Sequence, residues 1–242
     1  MLYKSLSIVR AFARLQSRAD GGLLLRTDNL RPEVGLANRN QSPIIGLKNF
    51  NNWIKTVLIN KFCRSPIEEA ARQKQMQSQP ARRRGGHNPA WENTRLKVLD
   101  MGCGKGGDLN KWGKVGTGEY VGLDVANVSI EQARSRVKRN HGFTANFFAL
   151  DCFSVRSLLP RTIKLTRYQE SISNVVDPKL LAKKFDVVSM QFCMHYAFEN
   201  IDKARMMLSN VSTHLRFGGM FVGTIPNSDL LLYVRSILSV LH

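Results

Sequence analysis

The chain has 242 residues, 43% of them hydrophobic, enough for one core of ordinary size and a small appendage. Its net charge of +18 predicts attraction to polyanions, whether nucleic acid, a phosphorylated ligand or an anionic membrane surface, but identifies no reaction. No apolar stretch reaches the roughly 18 to 20 residues of a membrane helix. The four cysteines, Cys63, Cys103, Cys152 and Cys193, have no C-x-x-C or Cys/His spacing, which argues against zinc and fits a reducing intracellular compartment.

Residues 1–31 read as a poorly defined basic extension. Within it, residues 1–19 hold Lys4, Arg10, Arg14 and Arg18 and no acid, a pattern shared by a mitochondrial presequence and a plain basic arm. Residues 32–242 read as one domain that opens on the loop-like "RPEVGLANRNQSP". Next, "LKNFNNWIKTVLINKF" spaces Phe50, Trp53, Ile54, Val57, Leu58 and Phe62 at three and four residues. That spacing predicts an amphipathic helix over 48–63, with Phe50 and Trp53 expected in the core. Polar residues then dominate 65–93, read as a flexible insertion whose Arg82-Arg83-Arg84 run is expected on a solvated loop.

After Thr94 the pattern becomes regular. Apolar runs at 96–101, 119–124, 144–150, 185–192 and 217–225 predict buried strands, and helical segments lie near 105–113, 127–140, 178–184 and 198–214. Such alternation predicts an α/β fold, a mostly parallel sheet with helices on both faces. Gly218-Gly219 in "LRFGGMFVGT" are expected to form a turn before the last strand. The closing "LLLYVRSILSV", interrupted by Arg235, predicts an amphipathic helix.

The densest motif is "VLDMGCGKGGDLNKW", where an apolar strand meets four glycines between residues 102 and 107. A glycine turn between strand and helix lets a ligand approach the backbone and use the helix N-terminus. A P-loop is excluded, because Lys105 is followed by Gly106 rather than Ser or Thr. Gly102, Gly104 and Gly107 satisfy G-x-G-x-x-G, and Asp124 lies at the end of the next strand, so spacing alone leaves a dinucleotide open. The acids favour an adenosyl ligand without pyrophosphate. Asp100, just before the turn, would repel a pyrophosphate but can accept from an amino-acid ammonium. S-adenosylmethionine carries that ammonium, a ribose diol for Asp124, and an adenine whose amino group suits Asp151 in "NFFALDCF". A single strand-end Asp more often caps the next helix; three at successive strand ends are more specific.

These residues resemble the eukaryotic mRNA cap guanine-N7 methyltransferases. "LKNFNNWIKTVLI", "VLDMGCGKGGDLNKW" and "FDVVSMQFCMHYAFEN" carry the likeness, and "GLDVANVSIEQAR" and "LRFGGMFVGTIPNS" extend it over roughly residues 32–232. The resemblance implies a Rossmann-like, S-adenosyl-L-methionine-dependent fold and methyl transfer to N7 of the guanosine cap. It implies a donor site of Lys55, Gly102, Asp124, Asp151, Gln191 and Tyr196. It implies a cap site of Asn51, Asn52, Lys105, Lys111, Arg136 and His195. The cationic residues suit a triphosphate bridge, and the asparagines suit a base or ribose edge.

Guanine N7 is unprotonated at neutral pH, so no catalytic acid, base or nucleophile is expected, and Cys103 and Cys193 are read as small buried packing. The implied partner is the capped 5′ end of mRNA, with RNA polymerase II or the capping machinery as associates, in the nucleus. No membrane, no metal and no oligomer are implied. The family's usual antiparallel pair after the fifth strand has no counterpart here, which implies missing C-terminal strands and an incomplete cap pocket. The alternative function is a weak or inactive RNA-binding or regulatory product that keeps the donor site.

Overall fold

The computed structural model describes residues 45–64, 95–137, 142–153 and 172–227. Helix α1 (Ile45–Ile59) ends in a π-turn, Asn60–Arg64. Strand β1 (Leu96–Met101) leads through the glycine turn to α2 (Leu109–Lys114), and β2 (Thr117–Asp124) to α3 (Asn127–Val137). Then come β3 (Thr144–Ala149) and two single-turn helices, α4 (Ile172–Val175) and α5 (Pro178–Leu181). Strand β4 (Phe185–Gln191) passes through a 3₁₀ turn, Met194–Glu199, to α6 (Ile201–His214) and β5 (Leu215–Thr224).

The five strands pair in the order β3-β2-β1-β4-β5, all parallel. This is the predicted α/β sheet. Central β1 is buried along its whole length, as a strand covered on both faces must be. Alternation sorts its side chains: Leu99 and Met101 join Leu123, Met190, Met207 and Val211 on the α6 face. Val98 joins Trp112, Tyr120, Ile130 and Val222 on the α2–α3 face, together with Ile59 and Cys63 from α1 and its π-turn. Burying one such aliphatic side chain contributes about 1.5–3 kcal/mol.

Several expectations change. The glycine segment does not begin a helix at residue 105. Gly102, Gly104 and Gly106 have φ of +78°, +53° and +69°, so no helix runs through Gly106, and α2 starts at Leu109. The segment near 178–184 holds only the one turn of α5, and the segment near 198–214 is split by Asn200, whose side chain accepts from the Lys203 N–H and caps α6. Gly218-Gly219 do not turn the chain ahead of the last strand but lie inside β5. Leu215 pairs with Phe185 and the next partners are Met220 and Val187, so the glycines form a bulge.

Phe50 and Trp53 are not core residues; they are 55% and 60% exposed and stack on each other with ring centroids 6.0 Å apart. Helix α1 turns the opposite side inward, with Ile59 buried and Lys55 half-buried. The 1–31 extension, the 65–93 insertion with its arginine run, the "LLLYVRSILSV" helix and the end of the 127–140 helix lie outside the described residues. No helix among the described residues is long and apolar enough to cross a membrane.

Candidate functional site

The strand order reverses between β1 and β4. In an open parallel sheet, that switch point at the carboxyl ends of the strands is where ligands bind. The predicted donor residues collect on this edge. Gly102 follows β1, Asp124 ends β2, Asp151 stands two residues past β3 and Gln191 ends β4. Adjacent strands lie about 4.8 Å apart, so the four positions line one rim.

The glycines of the turn have different reasons. A Cβ on Gly102 would lie 2.5 Å from Cys193 Sγ and 2.8 Å from its Cβ, so this glycine admits the chain after β4. One on Gly106 would meet Leu109 and Ala133 at 2.8 and 3.3 Å, so this glycine seats the turn on α3. Above Gly104, as above Gly107, there is open space that leaves room for a ligand. Asp124 fixes it: its Oδ2 accepts the Gly104 N–H at 2.8 Å and its Oδ1 the Ala126 N–H at 2.9 Å. Each carboxylate oxygen has two lone pairs, so these bonds leave acceptor capacity for a diol. The Asp151 Oδ1 accepts from the Phe153 N–H at 2.9 Å, a local turn that fixes the carboxylate beyond β3.

Asp100 sits beneath the turn, 2% exposed. Its Oδ2 accepts from the Tyr120 hydroxyl at 2.7 Å, while Oδ1 is buried with no hydrogen-bond partner. Burial, then the nearby negative charge of Asp108, push its pKa up to about 6, against the pull of the Tyr120 and Ser189 hydroxyls and Lys55.

Beyond β4 the backbone is strained in the same place. Phe192 has φ +59° without being glycine, a conformation costing roughly 1–2 kcal/mol. Its N–H bonds to the Thr224 hydroxyl at 2.8 Å and the Thr224 carbonyl at 3.2 Å, which holds it there. The Thr224 hydroxyl also donates to Gln191 Oε1 at 3.3 Å. This kink places Cys193 under Gly102, with its thiol donating to the Met101 carbonyl at 3.0 Å, and starts the turn that carries His195 and Tyr196. Their rings lie 4.2 Å apart; Tyr196 is 40% exposed, and burial lowers the His195 pKa, so this imidazole is neutral at pH 7. Burial likewise pushes the Cys103, Cys152 and Cys193 thiols well up, so they are inert neutral packing groups at this edge.

Helix α1 meets the glycine turn through charge. Lys55 Nζ lies 2.8 Å from Asp108 Oδ2, and Lys111 Nζ lies 2.8 Å from Asp108 Oδ1 and 2.5 Å from Asn52 Oδ1. Asn51, Asn52 and Lys55 occupy one side of α1, three and four residues apart. Lys105 lies within the turn. Arg136 stands apart: α3 runs away from the rim, and Arg136 is nine residues beyond Asn127, about 13–14 Å along the helix. It does share a face with Ala133, which packs under Gly106. Reasoning from sequence did not single out Asp108. An Asp just before a helix reads as its N-cap, a role worth about 1 kcal/mol. Here its side chain makes no capping bond.

A parallel α/β sheet with a glycine turn at its switch point and acids at three strand ends defines a Rossmann-like domain built to hold a nucleoside-bearing ligand. The chain belongs to the family described as the mRNA (guanine-N(7))-methyltransferase domain, whose pattern matches residues 17–78 and 84–240. A Cryptococcus neoformans relative named mRNA cap guanine-N(7) methyltransferase is 49% identical over 84% of this chain and 26% of its own length. One of the same name from Schizosaccharomyces pombe is 42% identical over 92% of this chain and 51% of its own. The chain thus spans about half, or a quarter, of the curated relatives it matches. Among solved structures, an S-adenosylmethionine-dependent methyltransferase from Mesorhizobium loti is 23% identical over 56% of this chain and 51% of that one, with a TM-score of 0.35.

Proposed function

We propose that this chain transfers a methyl group from S-adenosyl-L-methionine to N7 of the guanosine cap of mRNA. The observation that carries the reading is the rim itself: a glycine turn with open space above Gly104, and Asp100, Asp124 and Asp151 at three adjacent strand ends. The residues fit the donor. The partnerless buried Asp100 Oδ1 suits an ammonium, the remaining acceptor capacity of Asp124 suits a ribose diol, and Asp151 suits an adenine amino group. Lys55 would take the donor's carboxylate, and Gly102, Gln191 and Tyr196 would complete the wall. Bound there, the donor supplies a methyl group already activated on a sulfonium.

The chain's own task is to position. Guanine N7 offers a lone pair at neutral pH, so no side chain has to remove a proton. Lys105 and Lys111 would hold the triphosphate bridge through charge-assisted bonds, and Asn51, Asn52 and His195 would orient the base and ribose, while Arg136, set back along α3, would reach only a more distant phosphate. Holding the two ligands in line, with water excluded, can supply about 7–11 kcal/mol of barrier lowering in favourable cases. The acceptor is the capped 5′ end of mRNA, which the names of the relatives support; the setting we propose is the nucleus, with RNA polymerase II and the capping machinery as associates.

Calorimetric titration with S-adenosylmethionine, and separately with GpppG, tests the reading. Both ligands are expected to release heat, with the Asp124→Ala variant losing the first. A chain that binds RNA but gives no heat with the donor is a basic RNA-binding protein instead.

A further inference from the structure

We propose that Asp108 is a positioning residue shared by the donor and cap pockets, holding the Lys55 and Lys111 ammonium groups in one fork. The inference rests on the site reading above, in which Lys55 faces the donor and Lys111 faces the cap. Its basis is geometric. The two cations come from elements far apart in sequence, yet each lies 2.8 Å from a different oxygen of one carboxylate. Asp108 is 8% exposed, and the Lys55 and Lys111 side chains are 19% and 11% exposed. This is therefore no solvent-screened surface pair of small worth.

The residue's placement has no other local explanation. It precedes a single short helix and does not cap it, with φ −102° and ψ 0°. Both its oxygens point to lysines, and the Asn52 carbonyl oxygen locks Lys111 from a second side. Two ammonium groups brought this close would repel each other; a carboxylate between them removes that repulsion and fixes both rotamers before any ligand arrives. An ammonium has three N–H donors, so Lys55 keeps two and Lys111 one beyond the bonds just described. These are aimed by Asp108 rather than by the ligands. The lysine side chain is long and loses much rotamer freedom when bound, so ordering it in advance strengthens the binding of whatever anion it meets. One carboxylate thereby serves the donor's carboxylate on one side and the cap's phosphates on the other.

A competing electrostatic effect predicts the opposite sign. Removing a negative charge beside the phosphate site, with no positioning role, would strengthen cap binding. The experiment is a four-way titration with S-adenosylhomocysteine and with GpppG, on the unmodified chain and on Lys55→Met, Lys111→Met and Asp108→Asn. Lys55→Met is expected to weaken only the first ligand and Lys111→Met only the second. Asp108→Asn is expected to weaken both, roughly tenfold each, as for loss of a charge-assisted bond. Its thermal midpoint should stay within a few degrees of the parent, and in turnover both KM values should rise while kcat at saturation stays within about threefold. Asp108→Ser serves as the second variant, with the same double loss expected, should the asparagine variant fail to fold. Loss for one ligand only, for neither, or tighter GpppG binding in the folded Asp108 variants overturns the proposal. An unmodified chain that binds neither ligand overturns the site reading and this inference with it; binding of both with no double loss overturns the inference alone.

Discussion

In the proposed site, Asp100 is expected to make the donor pocket sensitive to pH. Its carboxyl titrates at about 6 in the folded chain, against 3.8 for an ordinary aspartate. Between those values the folded chain keeps a proton that the unfolded chain has released, so stability falls as pH rises from about 4 to 6. Donor binding runs the other way, because an ammonium prefers the ionised carboxylate. At pH 5 about a tenth of the group is ionised and at pH 7 about nine-tenths. Affinity for S-adenosylhomocysteine is therefore expected to rise roughly tenfold across that interval and to flatten in Asp100→Asn, measured by titration at each pH.

Gly102 permits a second test. A methyl group there meets Cys193 Sγ at 2.5 Å in a left-handed backbone that itself costs about 1–2 kcal/mol. Gly102→Ala should lower the denaturant midpoint, and adding Cys193→Ala should recover the part due to sulfur but not the backbone part. The glycine turn and the strand-end acids were legible in the sequence because parallel strands deliver their last residues to one edge. Asp108 was not, because its partner Lys55 lies on another element and an acid at that position has a plausible capping role.

Helix α1 shows what periodicity can and cannot say. The spacing of its apolar residues predicted a helix correctly, and the structure places it at Ile45–Ile59. Periodicity did not say which side faces in. The aromatic stripe of Phe50 and Trp53 faces solvent, while the fully buried Ile59 packs into the core, Lys55 reaches Asp108, and the exposed Asn52 meets Lys111 at its edge. What fixes the orientation is the burial of Ile59 together with the Lys55–Asp108 and Asn52–Lys111 contacts, whose partners lie outside the helix. Ile59→Ala is expected to destabilise by about 2–5 kcal/mol, as for other buried aliphatics. Trp53→Ser should cost under about 1 kcal/mol, because most of its surface is already in water. Equal losses for the two, in urea unfolding monitored by far-ultraviolet circular dichroism, would place the helix wrongly. The Gly-Gly bulge in β5 was misplaced for a related reason: two glycines read as a turn unless the pairing strand shows that the ladder resumes beyond them.

Across the molecule, the net charge of +18 was the first feature read and the least specific. It predicts how RNA binds rather than what is done to it. Affinity for capped RNA is expected to fall tenfold or more between about 50 and 200 mM salt, as phosphate contacts release counterions, while affinity for S-adenosylhomocysteine changes by less than about threefold. Parallel slopes for the two ligands would argue that the basic surface and the donor pocket are not separate. The sheet order, by contrast, is what gives the charge a target, since it sets the donor acids on one rim with Lys105 in the turn and Lys111 on the helix that follows it.

The most direct test is transfer of labelled methyl from S-adenosylmethionine to GpppG-capped RNA and to the same RNA without a cap, followed by nuclease digestion and identification of the methylated nucleotide. Label is expected only on the capped RNA, at guanine N7, and absent with Asp124→Ala. Equal label on both RNAs, label at another position, or none with the unmodified chain would contradict cap methylation as its function.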